Sequence, residues 1–319
     1  MNGYPIFTDG CAFIRLPART HIELLGADRQ QFLHNLCTND IKGLQPGTGC
    51  EAFITSVQGK TLGHILVFSG KESLVFDTVP DQGEQLIPHL DRYLITEDVQ
   101  ITDRSTEWSE LAVAGSKAND VLKQCGLDVP MAPLNHIDGL IDGHAVSVRQ
   151  VDMTSAPCFF LQTASNEQVV LINKLREYGA TECNADVLET ARIEHGWPCF
   201  AVDISERNLP QEINRNEQAI SFTKGCYLGQ ETVARIDAMG HVNRLLVGLR
   251  FDGEEIPPPG TKLLDGEKEI GEVTSATLSP RLDAPLALAF VRHQLADIGT
   301  QLQSEIGLAQ IIALPLAGS

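Results

Sequence analysis

The stretch FTKGCYLGQETVAR, residues 222–235, sets Cys226 between a glycine and a tyrosine, with Lys224 just before it. A helix-like run follows at residues 230–239 and stops at Gly240. A thiol near a helix start and beside an ammonium has its thiolate favoured by unpaired N–H groups and by the positive charge. Gly225 and Gly229 allow positive φ or close approach to a ligand. The order is not a phosphate-binding loop, because GxxxxGK[ST] is absent. Read alone, these residues leave Cys226 with two meanings: a reactive or metal-ligating thiol, or small buried filler.

Upstream, two similar plans lie in series. HIELLG (21–26) alternates and ends in glycine, ADRQQFLHNLC (27–37) has helical spacing, and CEAFITSV, TLGHILVF and SLVFDTV read as strands. QGEQLIPHLDRYL (82–94) resumes helical spacing, with Pro88 inside it. ELAVAG (110–115) is again a strand ending in glycine, SKANDVLKQCG (116–126) a helix that Ser116 caps, AVSVRQV and CFFLQTA strands, and NEQVVLINKLREYG a helix. The two strand–Gly–helix openings look like a diverged duplication, and short helices returning over mixed sheets predict an α+β fold with two ferredoxin-like lobes. DVLETARIEHGWP (186–198) predicts a helix stopped by Gly196 and Pro198. After EIPPPG the runs become short and alternating, as in a small β-barrel. The expected division is a first region at 1–243, with lobes at about 1–107 and 108–184 and a linking segment at 185–243, then a barrel at 244–319.

Composition narrows the function. The chain has 319 residues, 42 acids against 24 bases and a formal charge of −18, which argues against a nucleic-acid surface. No apolar run reaches membrane-span length, and the first residues lack signal- or transit-peptide character, so the reading is a cytoplasmic protein without a membrane partner. Eight cysteines stand far apart with no CxxC, so Cys11, Cys37, Cys50, Cys125, Cys158 and Cys183 read as small buried hydrophobes.

The run KGCYLGQE, with PQEINRNEQAISF before it and VAR after it, resembles the signature of the YgfZ family of folate-binding proteins, relatives of the glycine-cleavage T-protein. FLHNLCTNDI, ITSVQGKTLGHILVF, IGEVTS and ALAFV extend the likeness along most of the chain. The resemblance implies three domains around a central folate cavity, tetrahydrofolate or a derivative as cofactor, and a role in assembling or repairing 4Fe–4S clusters. Its implied partners are iron–sulfur client enzymes, including radical enzymes that modify tRNA, or cluster carriers.

By position it implies Cys226 as the functional thiol or transient iron ligand, with Lys224 beside it, and Gly225, Tyr227, Gly229, Gln230 and Glu231 as the motif around the cofactor. ARIEHGWPCFAVDI (191–204) is similar to a T-protein segment, which places Arg192 and Glu194 at the pterin, with Gly196 and Asp203 in register. A carboxylate there would accept two hydrogen bonds from the pterin edge. Arg235 is a candidate partner for the folate tail; Arg215 and Arg244 read as surface charges.

One departure bears on activity. Where the T-protein has an aspartate pair, this sequence has Gly63 and His64, and no acid stands between Glu51 and Glu72. Aminomethyl transfer then lacks its main electrostatic participant; His64 could replace it as a base, but a lone histidine in an apolar strand reads more often as structural. The leading expectation is therefore a folate-binding accessory factor for 4Fe–4S proteins, without aminomethyltransferase activity. The alternatives are a tetrahydrofolate-dependent one-carbon transferase or demethylase, and a scaffold with no small ligand.

Overall fold

The structure, a computed structural model, describes residues 3–316, so the extreme ends of the expected 1–243 and 244–319 regions lie outside the described residues. The chain begins with α1 (Tyr4–Asp9), β1 (Ala12–Arg15), β2 (Thr20–Leu25), α2 (Arg29–His34), β3 (Thr48–Thr55), β4 (Thr61–Ser69), β5 (Ser73–Thr78), α3 (Gly83–Asp91) and β6 (Gln100–Asp103). Strands β3-β4-β5-β2-β6, in that order, form a five-stranded sheet. Its core joins Phe32 and Leu33 of α2 and Leu86 and Leu90 of α3 to Ile54 and Ile65 of the sheet. Gly26 is required where the first strand turns into its helix: its φ is +104°, and a Cβ would sit 2.1 Å from the carbonyl oxygen of Asp98.

The second lobe comprises β7 (Trp108–Ala114), α4 (Ala118–Gln124), β8 (His136–Ile141), β9 (His144–Gln150), β10 (Cys158–Ala164), α5 (Gln168–Glu177) and β11 (Thr181–Glu182). Its sheet has the order β11-β1-β7-β10-β9-β8. The lobes therefore do not part at residue 107: β1 crosses over and pairs antiparallel with β7, Ala12 opposite Ala114. Strand alternation divides the sheet's duties. Phe13, Leu111, Val113, Phe159 and Leu161 pack under α4 and α5. Ile14, Ala112, Ala114 and Phe160 face the first lobe's Leu66 and Phe68. Ser116 does not cap α4, whose N-cap is Lys117.

The linking segment carries α6 (Ala185–His195), a 3-10 turn at Pro210–Ile213, α7 (Asn216–Ala219) and α8 (Gln230–Met239). Then come β12 (Arg244–Phe251), β13 (Lys262–Asp265), β14 (Lys268–Ser279), β15 (Ala284–Arg292), β16 (Gln301–Ser304) and β17 (Gly307–Ile312). These six strands close as β12-β15-β14-β13-β16-β17, because β12 pairs with both β15 and β17, which leaves no free edge. Helix α6 is the hub. Its Val187, Leu188 and Ala191 pack on the second lobe, while Ile193 packs on barrel residues Leu246 and Leu288. That explains a helix buried nearly all round despite its charged sequence.

Candidate functional site

A narrow slot of about 60 Å³ opens where the two lobes meet the end of α6, walled by His64, Thr78, Phe160, Arg19, Trp197 and Cys199. Local sequence builds it. Helix α6 ends at Gly196 in the left-handed conformation, and the Trp197 N–H turns back to the Arg192 carbonyl at 2.8 Å. That turn delivers Trp197 to the slot. His64 comes from β4, where its ring lies 5.0 Å from that of Phe53 and 5.5 Å from that of Trp197.

The acid missing from the sequence next to His64 is present in space. His64 Nε2 meets Glu51 Oε1 at 2.8 Å, and Arg215 donates to the same carboxylate through Nε at 2.5 Å and Nη2 at 2.6 Å. All three side chains are buried. Burial pushes the Glu51 carboxyl up, but Arg215 and then His64 outweigh it and hold it down at about 2. Arg215, expected at the surface, instead lies under Trp197, its guanidinium carbon 4.3 Å from the ring centroid. Strand register contains the missed signal: Phe53 is opposite His64 and Glu51 opposite Leu66, so Glu51 and His64 are diagonal neighbours on one face.

Arg192 lines the slot but is largely committed to structure. Nε and Nη2 donate to Glu189, and Nη1 donates to the Trp197 carbonyl and to Asp203. Asp203 also accepts from the Cys199 N–H and from Thr274 and Ser275 of the barrel. Glu194 is not on the slot wall. Its carboxylate is buried and accepts hydrogen bonds from Tyr4 and from Ser279 at 2.5 Å. The side chain points toward the barrel and the N-terminal helix, so the pterin role read from the sequence meets a carboxylate already satisfied.

The KGCYLGQE loop docks against the first lobe and lines a separate open hollow, with Cys226, Lys224, His34 and Lys42 on its wall. Lys224 does not stand free to activate the thiol. Its Nζ donates to the carbonyls of His34 at 2.5 Å, Cys37 at 2.8 Å and Asn39 at 2.7 Å, and burial pushes its pKa down. Cys226 precedes α8 by several residues, because the helix N-cap is Gly229; it is not held at the helix dipole. It is nevertheless the one exposed cysteine of the eight, whereas burial pushes the Cys37 thiol to about 11 and that of Cys158 to about 12. Tyr227 fills a small core with Phe53 and Phe200, and Gln230 Oε1 accepts from its N–H at 3.3 Å. Glu231 and Arg235 lie exposed on α8, and Gly225 has open space around it. None of these motif residues belongs to the slot wall, which contains instead Cys199.

Among the described residues one buried group has metal-ligand types close together, His21, Asp77 and Glu110. Arginine already fills it: Arg149 Nη1 is 2.5 Å from Asp77 and 3.2 Å from Glu110, and Arg19 Nε is 3.0 Å from Glu110. Burial lifts the Asp77 carboxyl, but Arg149 and His21 hold it well below the usual range, so the cluster is an ion-pair bridge between lobes. Among the described residues no helix is long and apolar enough to cross a membrane.

The sequence matches the GCVT N-terminal domain over residues 12–224 and the glycine cleavage T-protein C-terminal barrel domain over residues 244–316. It is 28% identical over 300 residues to a putative chloroplastic transferase of Arabidopsis thaliana, covering 92% of this chain and 68% of that protein. It is 28% identical over 287 residues to an aminomethyltransferase of Nostoc sp., covering 86% and 75%. In three dimensions it superposes on the glycine cleavage system aminomethyltransferase T of Bartonella henselae with a TM-score of 0.89, at 17% identity over 98% of this chain and 88% of that one, a likeness of fold. With both domains matched in order along nearly its whole described length, the chain belongs to the GCVT family, built on the three-domain T-protein fold.

Proposed function

We propose that the chain binds a reduced folate in the slot beside Trp197 and takes part in tetrahydrofolate-dependent one-carbon transfer. The observation that carries this reading is the buried Glu51–His64 pair, with His64 on the slot wall. The walls suit a pterin: Phe160 and Trp197 are flat apolar faces, and Thr78, His64 and Arg19 offer hydrogen-bonding groups. At about 60 Å³ the slot admits a bicyclic ring only when a flexible wall residue such as Met153 turns aside. Bound tetrahydrofolate would accept the one-carbon unit from a donor. His64, with Nε2 committed to Glu51, keeps Nδ1 to hold or move a proton, and ionised Glu51 fixes that tautomer. The names of the relatives, aminomethyltransferase and putative transferase, support the same class.

The test is turnover of tetrahydrofolate with small aminomethyl or methyl-thioether donors, read as the methylene- or methyl-tetrahydrofolate formed. The expected result is activity that falls about 100-fold or more in His64→Ala and is unchanged in Glu194→Gln. Inactivity across all donors would remove the transferase reading.

A second reading is favoured by one observation, the exposure of Cys226 alone among the cysteines. In it the protein is a YgfZ-type, cytoplasmic accessory factor for 4Fe–4S client enzymes, with Cys226 as a shared iron ligand, redox partner or nucleophile. One thiolate does not fill the usual four-cysteine ligand set of such a cluster, so ligation would be shared. Complementation of a deletion strain low in 4Fe–4S enzyme activity decides it: Cys226→Ala should fail where Cys183→Ala succeeds, and equal rescue would retire the thiol.

A further inference from the structure

The ladder between β12 and β15 opens on a repulsive pair. Arg244 stands directly opposite Arg292, and like charges directly opposite on neighbouring strands are destabilising. The His293 N–H donates to the Asn243 carbonyl at 2.9 Å, which holds the two strand ends together, and the rings of His241 and His293 lie 5.6 Å apart. Four basic side chains therefore gather at one corner of a chain that has 42 acids against 24 bases.

The protein cancels only part of this charge. Arg244 Nε meets Glu212 Oε2 at 3.3 Å, and its guanidinium carbon lies 4.8 Å from the centroid of the Phe290 ring. Arg292 is exposed, and among the described residues its side chain has no ion pair or hydrogen bond. Arg244 and Arg292 wall an open hollow of about 380 Å³ with Phe290, Ile270, Glu269 and Glu272. The two acids already have a cation of their own: Lys262 Nζ lies 2.9 Å from Glu269 and 2.6 Å from Glu272.

We propose that this hollow binds a phosphate group, as the free ion or as a phosphate monoester, held between the guanidinium groups of Arg244 and Arg292. A planar guanidinium offers paired N–H donors that match phosphate oxygens. A doubly charged anion between the two arginines replaces their repulsion with two attractions, whereas a monocarboxylate leaves one guanidinium uncompensated. The site lies on the barrel, shares no wall residue with the slot, and stands without the folate reading.

Calorimetric titration of the full chain with inorganic phosphate, phenyl phosphate and acetate, at low ionic strength so that exposed charges are not screened, tests it. Inorganic phosphate binds saturably, and acetate binds about tenfold or more weakly. Phenyl phosphate bound more tightly than inorganic phosphate identifies an ester as the ligand, and equal or weaker binding identifies the free ion. Arg292→Gln weakens phosphate by about tenfold or more with the melting temperature unchanged, because the side chain is exposed. Lys262→Gln releases Glu269 and Glu272 in the same hollow and weakens phosphate as well. Absence of saturable phosphate binding, acetate bound as tightly, or phosphate affinity unchanged in either variant would overturn the site.

Discussion

Glu51 changes the meaning of His64. In the linear sequence His64 stands in an apolar strand with no acid nearby; in the sheet it is held at 2.8 Å by a carboxylate that Arg215 keeps ionised. The folded carboxyl sits at about 2 against the ordinary 4.5, so folding favours the ionised form. That contribution is fully present above pH 4.5 and is lost as pH falls toward 2, about 3 kcal/mol in all. Urea unfolding should therefore show wild type losing stability between those pH values more steeply than Glu51→Gln. At neutral pH, Glu51→Gln strands the buried Arg215 and should cost about 3–5 kcal/mol, while the double change Glu51→Gln with Arg215→Met should recover part of it. Equal pH slopes in wild type and Glu51→Gln would refute the ionised pair. The pair was legible only through strand register, since a cross-strand diagonal brings together residues 51 and 64 that no linear motif joins. Arg215 was hidden further, because nothing in PQEINRNEQ tells a surface arginine from one turned under a tryptophan.

At the scale of elements, the hairpin between β3 and β4 and the KGCYLGQE loop lock together through their glycines. A Cβ on Gly229 would lie 2.4 Å from the Ser56 carbonyl oxygen and 2.8 Å from Gly59 Cα, at a φ of +81°. Gly225 has neither constraint. Thermal unfolding should show Gly229→Ala destabilised by about 1–3 kcal/mol or more and Gly225→Ala within about 0.5 kcal/mol of wild type. Destabilisation of the two by the same amount would contradict this division. Much of the secondary structure was readable, because apolar spacing and glycine stops dominate those segments: both strand–Gly–helix openings, the helix at 185–195 and the barrel strands appear. Strands β1 and β11 were not, because β1 is recruited by a sheet whose other long strands begin nearly a hundred residues later. Pro88 sits inside α3 without ending it, as the apolar face of Leu86 and Leu90 anchors both sides.

Across the whole molecule, a few buried charges hold the three parts in one arrangement. Asp203 takes hydrogen bonds from Arg192 of the hub helix and from Thr274 and Ser275 of the barrel. Asp77 and Glu110 share Arg149 across the two lobes. Asp203→Ala leaves Arg192 without its fully buried partner, so it should cost about 3–5 kcal/mol and expose the linker to the barrel to limited proteolysis; unchanged proteolysis and stability would show that apolar packing alone fixes the barrel.

The fold class was legible from the resemblance of the motifs, and the family match bears it out over residues 12–224 and 244–316. The candidate slot was legible only in part: Arg192 lines it, while Glu194 is held by Ser279, and Lys224, Gly225 and Cys226 of the KGCYLGQE run line a separate hollow. A motif fixes chain positions, but burial decides which of them face a cavity.

A folate slot at Trp197 and His64 is tested by anaerobic calorimetric titration of wild type, His64→Ala and Cys226→Ala with tetrahydrofolate. Wild type should bind saturably, His64→Ala about tenfold more weakly, and Cys226→Ala with wild-type affinity. No saturable heat in wild type, or loss of affinity in Cys226→Ala with His64→Ala unaffected, would contradict a folate slot at Trp197 and His64.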